Sequence, residues 1–123
     1  MPYDWLDKYL MRKKGTTWDF KEEWQWKRYQ VGGKLYAAVC KGESGQDELI
    51  TFKLEPLEGE LLRKEYPDII PGYYMNKTHW SSIKINGAVP DEVVRRMADE
   101  SYRLVLGGLT KKQRAEITGG TEE

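Results

Sequence analysis

Val31-Gly32-Gly33-Lys34-Leu35-Tyr36-Ala37-Ala38-Val39-Cys40 is the stretch on which the fold turns. Its two adjacent glycines mark a two-residue hairpin, because both central residues of a type I′ turn need positive φ. The run from Leu35 to Cys40 is apolar on both faces of an extended chain and predicts a central strand. Upstream, Thr16 to Val31 carries Trp18, Phe20, Trp24, Trp26 and Tyr29, ring types enriched in strands, interrupted by Lys21, Glu22 and Glu23. That pattern predicts two strands joined by a charged turn. Downstream, residues 41 to 48 read as an exposed turn. Ile50, Phe52 and Leu54 then alternate with Thr51 and Lys53, which predicts a strand packed on one face only.

Helical patterns flank this strand block. Trp5, Leu6, Tyr9 and Leu10, with acids early, bases late and Gly15 as the stop, predict a helix over residues 3–14. Pro56 sits at a first helical position, and Leu57, Leu61, Leu62 and Tyr66 form a stripe that Pro67 ends. An irregular stretch leads to Trp80, after which Ile83 and Ile85 alternate with Ser82 and Lys84 in a strand closed by Asn86-Gly87. Pro90 opens the last long helix, with a stripe of Val93, Val94, Met97, Ala98, Tyr102 and Val105, ended by Gly107-Gly108. Asp91/Arg95, Glu92/Arg96 and Asp99/Arg103 stand at i,i+4 on its polar side. The whole reads as an α+β, two-layer domain: an antiparallel sheet of four to five strands with helices packed on one face. Residues 1–109 form the domain. Residues 110–123 are a C-terminal extension, a short helix followed by a frayed tail.

Composition bounds the function. The 123 residues carry 20 Lys+Arg against 20 Asp+Glu, so a uniformly basic nucleic-acid coat is excluded. Charge is uneven along the chain, however: residues 1–40 and 71–90 are net positive and 41–70 net acidic. Should the first helix, the hairpin and the loop before Trp80 share a face, that face is basic. No apolar run approaches the length of a membrane span, and acids near the N-terminus argue against a signal peptide, so no membrane association and a cytoplasmic location are expected. The lone Cys40 and the lone His79 leave no metal-ligand spacing, and no phosphate-loop glycine pattern occurs. No metal, cofactor or catalytic residue is expected.

The densest chemistry lies in Pro71-Gly72-Tyr73-Tyr74-Met75-Asn76-Lys77-Thr78-His79-Trp80. Two readings stand. In one, Trp80 and Met75 plug the end of the core while Asn76 and His79 satisfy backbone groups. In the other, Lys77 meets a phosphate while Tyr or His side chains stack on or hydrogen-bond to a base.

These stretches, with Val31 to Ala37, Tyr66-Pro67, Val89-Pro90-Asp91-Glu92 and Ser101-Tyr102-Arg103-Leu104-Val105, stand in order over residues 24–109 and resemble the MmcQ/YjbR family. The resemblance implies a small CyaY-like, double-wing α+β fold. It also implies DNA binding, a label the family carries by fold similarity to a phage activator's DNA-binding domain. The family motif falls on Gly72, Tyr73, Met75, Asn76, Lys77, His79 and Trp80; Tyr74 departs from it, where a second His is frequent.

The expected nucleic-acid contacts are therefore Lys34, Tyr73, Tyr74, Asn76, Lys77 and His79, with Lys34, Lys77 and His79 on phosphates and the tyrosines as stacking platforms. Gly32, Gly33, Pro71, Gly72, Met75 and Trp80 are the frame. The expected partner is DNA, bound weakly and with strong salt dependence. The alternative is a non-enzymatic protein-interaction module using a surface aromatic patch. The oligomeric state is left open.

Overall fold

The computed structural model describes residues 3–41, 46–72 and 75–119. At its centre, β2 (Trp26–Val31) and β3 (Lys34–Lys41) are joined through Gly32 and Gly33, whose φ values of 60° and 79° fulfil the hairpin requirement. β1 (Thr16–Lys21) pairs with β2, and β4 (Asp47–Lys53) with β3. After α2 (Pro56–Glu65), the short β5 (Ile69–Pro71) and β6 (Trp80–Lys84) complete a six-stranded antiparallel sheet in the order β1-β2-β3-β4-β6-β5. α1 (Leu6–Met11), α3 (Asp91–Gly107) and α4 (Lys111–Thr118) supply the remaining helices. The fold class is the expected α+β. The sheet has one more strand than the largest count expected, because Ile69 to Pro71 pairs with β6 inside the stretch read as irregular.

The helices lie on one face of the sheet. Their core joins Leu6 and Leu10 of α1, Leu62 of α2, and Val93, Val94, Met97, Ala98 and Val105 of α3 to Tyr36, Ile50, Phe52 and Ile83 of the strands. Each buried Val, Leu, Ile, Phe or Met contributes roughly 1.5–3 kcal/mol. At Tyr29/Gln30 the β2–β3 register shifts, so Tyr36 and Ala37 both enter this core. Ser101 of α3 repairs the ladder beside that shift. Its hydroxyl donates to the Tyr36 carbonyl at 2.5 Å and accepts the Lys53 N–H at 2.8 Å.

α1 is shorter than the helix expected over residues 3–14, and six residues cannot hold a helix by propensity alone. Tyrosines hold it instead. Tyr3 donates to the Val89 carbonyl, Tyr9 to Asp99, Tyr29 to Asp7, Tyr36 to the Leu10 carbonyl and Tyr102 to the Lys14 carbonyl. At the other terminus, Thr110 and Gln113 form a capping box on α4, whose Ile117 packs on the main core.

Three further expectations are corrected. The α2 stripe holds for Leu62 and Tyr66 only: Gly59 faces inward beside Leu62 while Leu57 and Leu61 are exposed, because the helix approaches Ser81 closely enough to favour a residue without a side chain. β4 is covered on both faces, since Leu49 and Thr51 are buried opposite Ile50 and Phe52. Finally, the polar side of α3 pairs otherwise than expected: Asp99 holds Lys13 and Arg96 reaches Glu58 on α2, while Arg103 binds Glu100 within the helix at i,i−3.

Candidate nucleic-acid interface

The segment between β5 and β6 explains the second covered face. Met75 and Ile70 pack against a small cluster of Trp26, Ala38, Cys40 and Leu49 on the side of the sheet away from the helices. Burial pushes the Cys40 thiol up to about 12, which keeps it protonated and non-nucleophilic. The segment is tied at its root by backbone bonds: Gly72 N–H to the Trp80 carbonyl at 2.7 Å, Trp80 N–H to the Asn76 carbonyl at 3.0 Å, and Leu54 N–H to the His79 carbonyl at 2.7 Å. Gly72 is required there by space. A Cβ at this position would stand 2.8 Å from Trp80 Cβ and 3.0 Å from its carbonyl oxygen.

Asn76 shapes the turn itself. Its Oδ1 accepts the Thr78 N–H at 2.8 Å and the His79 N–H at 3.1 Å, and lies 3.4 Å from His79 Nδ1. This carboxamide satisfies amides that an exposed turn would otherwise leave to water. Lys77 Nζ donates to the Gly72 carbonyl at 3.2 Å, which draws the ammonium back across the turn. Asn76, Lys77, Thr78 and His79 are all exposed, whereas Met75 and Trp80 are half-buried. Within the segment Met75 packs, Asn76 caps and Lys77 reaches back to the Gly72 carbonyl, while Lys77, Thr78 and His79 remain exposed to solvent. Tyr73 and Tyr74 lie outside the described residues.

Lys34 joins this group by topology. β3 and β6 run in the same direction on either side of β4, so Lys34, first in β3, stands at the same end of the sheet as the turn entering β6. The two strands are two spacings apart, about 10 Å. The wider basic face does not form. α1 sits on the helix face and the 75–79 turn is anchored on the other, and Lys13, Lys27 and Arg28 are engaged by Asp99, Asp7 and Asp19. The Arg28 pair is a two-pronged contact at 2.8 and 2.7 Å. Lys27 and Tyr29 together hold the Asp7 carboxyl below its ordinary value.

The ring-rich run from Thr16 to Val31 forms the two strands expected of it, yet Trp18 and Trp24 are each 52% exposed and Phe20 is 39% exposed. Lys27 Nζ lies 4.4 Å from the Trp18 ring centre and Lys21 Nζ 5.3 Å from that of Trp24. The missed signal is position. β1 is an edge strand and the six-residue α1 is too short to cover it. Beside Phe20, a cleft of about 370 Å³ opens between α1 and the sheet, with Tyr3, Leu6, Tyr29 and Ile50 among its walls. It lies at the opposite end of the sheet from the 76–79 turn. Among the described residues no group of three His, Cys, Asp or Glu side chains could hold a metal ion, and no helix is long and apolar enough to cross a membrane.

Comparison with known proteins gives a consistent result. The YjbR family model matches residues 11–104. The chain is 29% identical over 109 residues to the uncharacterised protein YjbR of Escherichia coli K12, covering 89% of this chain and 91% of that one. It is 30% identical over 103 residues to the uncharacterised YbdF of Escherichia coli O157:H7, covering 84% and 81%. Among solved structures, it is similar to Deinococcus radiodurans DR2400, of the DUF419 domain family, with a TM-score of 0.83, 28% identity and coverage of 99% and 96%. A Pseudomonas syringae protein shares the fold at a TM-score of 0.71 and 23% identity, covering 85% of this chain and 99% of that one.

Proposed function

The chain belongs to the YjbR family, and from that premise we propose that it is a small, non-enzymatic, cytoplasmic module that binds DNA weakly through the 76–79 turn and Lys34. The observation that supports this reading is a turn with its backbone fixed by Asn76 and its Lys77, Thr78 and His79 side chains exposed. An ammonium, a hydroxyl and an imidazole are phosphate-binding groups, and a turn ordered beforehand loses little entropy on contact. Tyr73 and Tyr74, next to it in sequence, are the proposed stacking rings. Binding is weak because few cations take part, and counterion release scales with the phosphates neutralised.

Fluorescence anisotropy with labelled single- and double-stranded DNA, across a salt series, tests the proposal. Affinity falls steeply with salt, and Lys77→Ala reduces the slope of log K against log salt by about one. Absence of binding to DNA or RNA at low salt removes the reading.

The exposed Trp18, Phe20 and Trp24 favour a second reading, a protein-interaction surface. A contact made by these rings is nearly indifferent to salt, which separates it from phosphate binding.

A further inference from the structure

The sheet has two edges, and they are guarded differently. β5 offers three residues and ends on Pro71, which has no N–H to give a neighbour. β1 offers six residues, Thr16 to Lys21, in an unbroken register with β2 and without proline. Among the described strands it pairs with β2 alone, so its outer row of N–H and C=O groups is a template for another strand. Trp18 and Phe20 stand two residues apart on one face of that strand and are both exposed.

We propose that this edge receives a second copy of the same chain, β1 against β1 in antiparallel pairing, about a two-fold axis through Phe20. The proposal rests on the second reading above and names its partner. The axis is fixed by charge. A two-fold perpendicular to the sheet pairs residues of like parity, so that the helix layers of both copies stay on one side. Centred on Asp19, it sets that carboxylate against itself. Centred on Trp18, it forms no charge pair, since Asp19 meets Thr17 and Lys21 meets Gly15. Centred on Phe20, it overlaps residues 19–21 of the two strands and places Asp19 opposite Lys21 of the other copy, twice, with the two Phe20 rings in contact, and opposite charges and aromatic pairs facing across strands are favourable. The Asp19 side chain, though bound by Arg28, is 45% exposed and open to this contact. The contact uses the same edge of both copies, so association closes at two.

Sedimentation velocity of the full chain, at concentrations from about 10 μM to about 1 mM, is the test, since an interface of one strand pair is small and associates weakly. The weight-average mass is expected to rise from 14.4 kDa toward twice that value. Phe20→Lys, at an exposed position, is expected to weaken dimerisation at least tenfold. Lys21→Glu and Asp19→Lys, each alone, are expected to weaken it as well, and an equimolar mixture of the two to recover it, because every facing pair is then opposite in charge. Circular dichroism confirms that each variant is folded. A monomer at every concentration overturns the proposal, as does dimerisation that ignores all three variants. Dimerisation lost in Trp24→Ala but kept in Phe20→Lys also overturns it, and leaves the turn's ring as the contact surface of the second reading.

Discussion

The turn entering β6 and the hairpin of β1 and β2 are both ring-bearing connections at the margin of the sheet, and they present opposite surfaces. The turn is fixed through its backbone, by the Gly72, Asn76 and His79 carbonyl and amide bonds, with Met75 as its apolar anchor. What it displays is polar. The hairpin is also closed through its backbone, by the Trp24 N–H on the Lys21 carbonyl and the Gln25 N–H on the Glu22 carbonyl, but what it displays is Trp18, Phe20 and Trp24. Aromatic content therefore does not mark the core in this molecule. A ring is buried where a neighbouring element exists to cover it, and the reach of the elements decides that.

Substitutions can break this contrast. The largest effect is expected at Gly72. Gly72→Ala drives a Cβ into Trp80 backbone and Cβ atoms that cannot rotate away, and should cost about 1–3 kcal/mol, read as a lower urea midpoint. Asn76→Ala removes the acceptor of two turn amides and should cost about 1 kcal/mol by the same measurement. It should also lower DNA affinity severalfold if the ordered turn is what presents Lys77. On the hairpin, Trp18→Ser should change stability by no more than about 0.5–1 kcal/mol, the scale of its exposed contact with Lys27. A cost as large as that of Gly72→Ala would show that the ring is structural.

The smallest effect concerns pH. Asp7, which ties α1 to the hairpin through Lys27 and Tyr29, has its pKa lowered from 3.8 in the folded chain. Its contribution is thus fully present above about pH 3.8 and is lost as pH falls through the lower folded value. Acid unfolding followed by fluorescence should show a shallower slope below pH 4 in Asp7→Asn than in the parent chain.

The parts legible in the sequence are those governed by local rules. Gly32-Gly33 is readable because positive φ at two adjacent residues is a property of the turn itself, and α3 because a 17-residue helix gives its apolar period room to emerge. α2 misled because leucines outweigh a glycine in any hydrophobic pattern, whereas the close approach to Ser81 selects the glycine side. Thr51 looked solvated because its hydroxyl is polar; it is buried because Ser82, on a strand distant in sequence, shares a 2.8 Å hydrogen bond with it. At the candidate site, the family motif located the turn, but the division between the packing Met75 and the outward Lys77 to His79 depends on which sheet face the segment crosses. That is a tertiary fact with no local signature.

Cys40, buried near the end of β3 with its thiolate disfavoured, has a practical consequence. An alkylating reagent can reach it only after Met75 and Ile70 have lifted from that face of the sheet. Its rate of modification is then a one-site clock for the opening of this cover, in a test tube or inside a cell, and needs no label, tag or engineered residue.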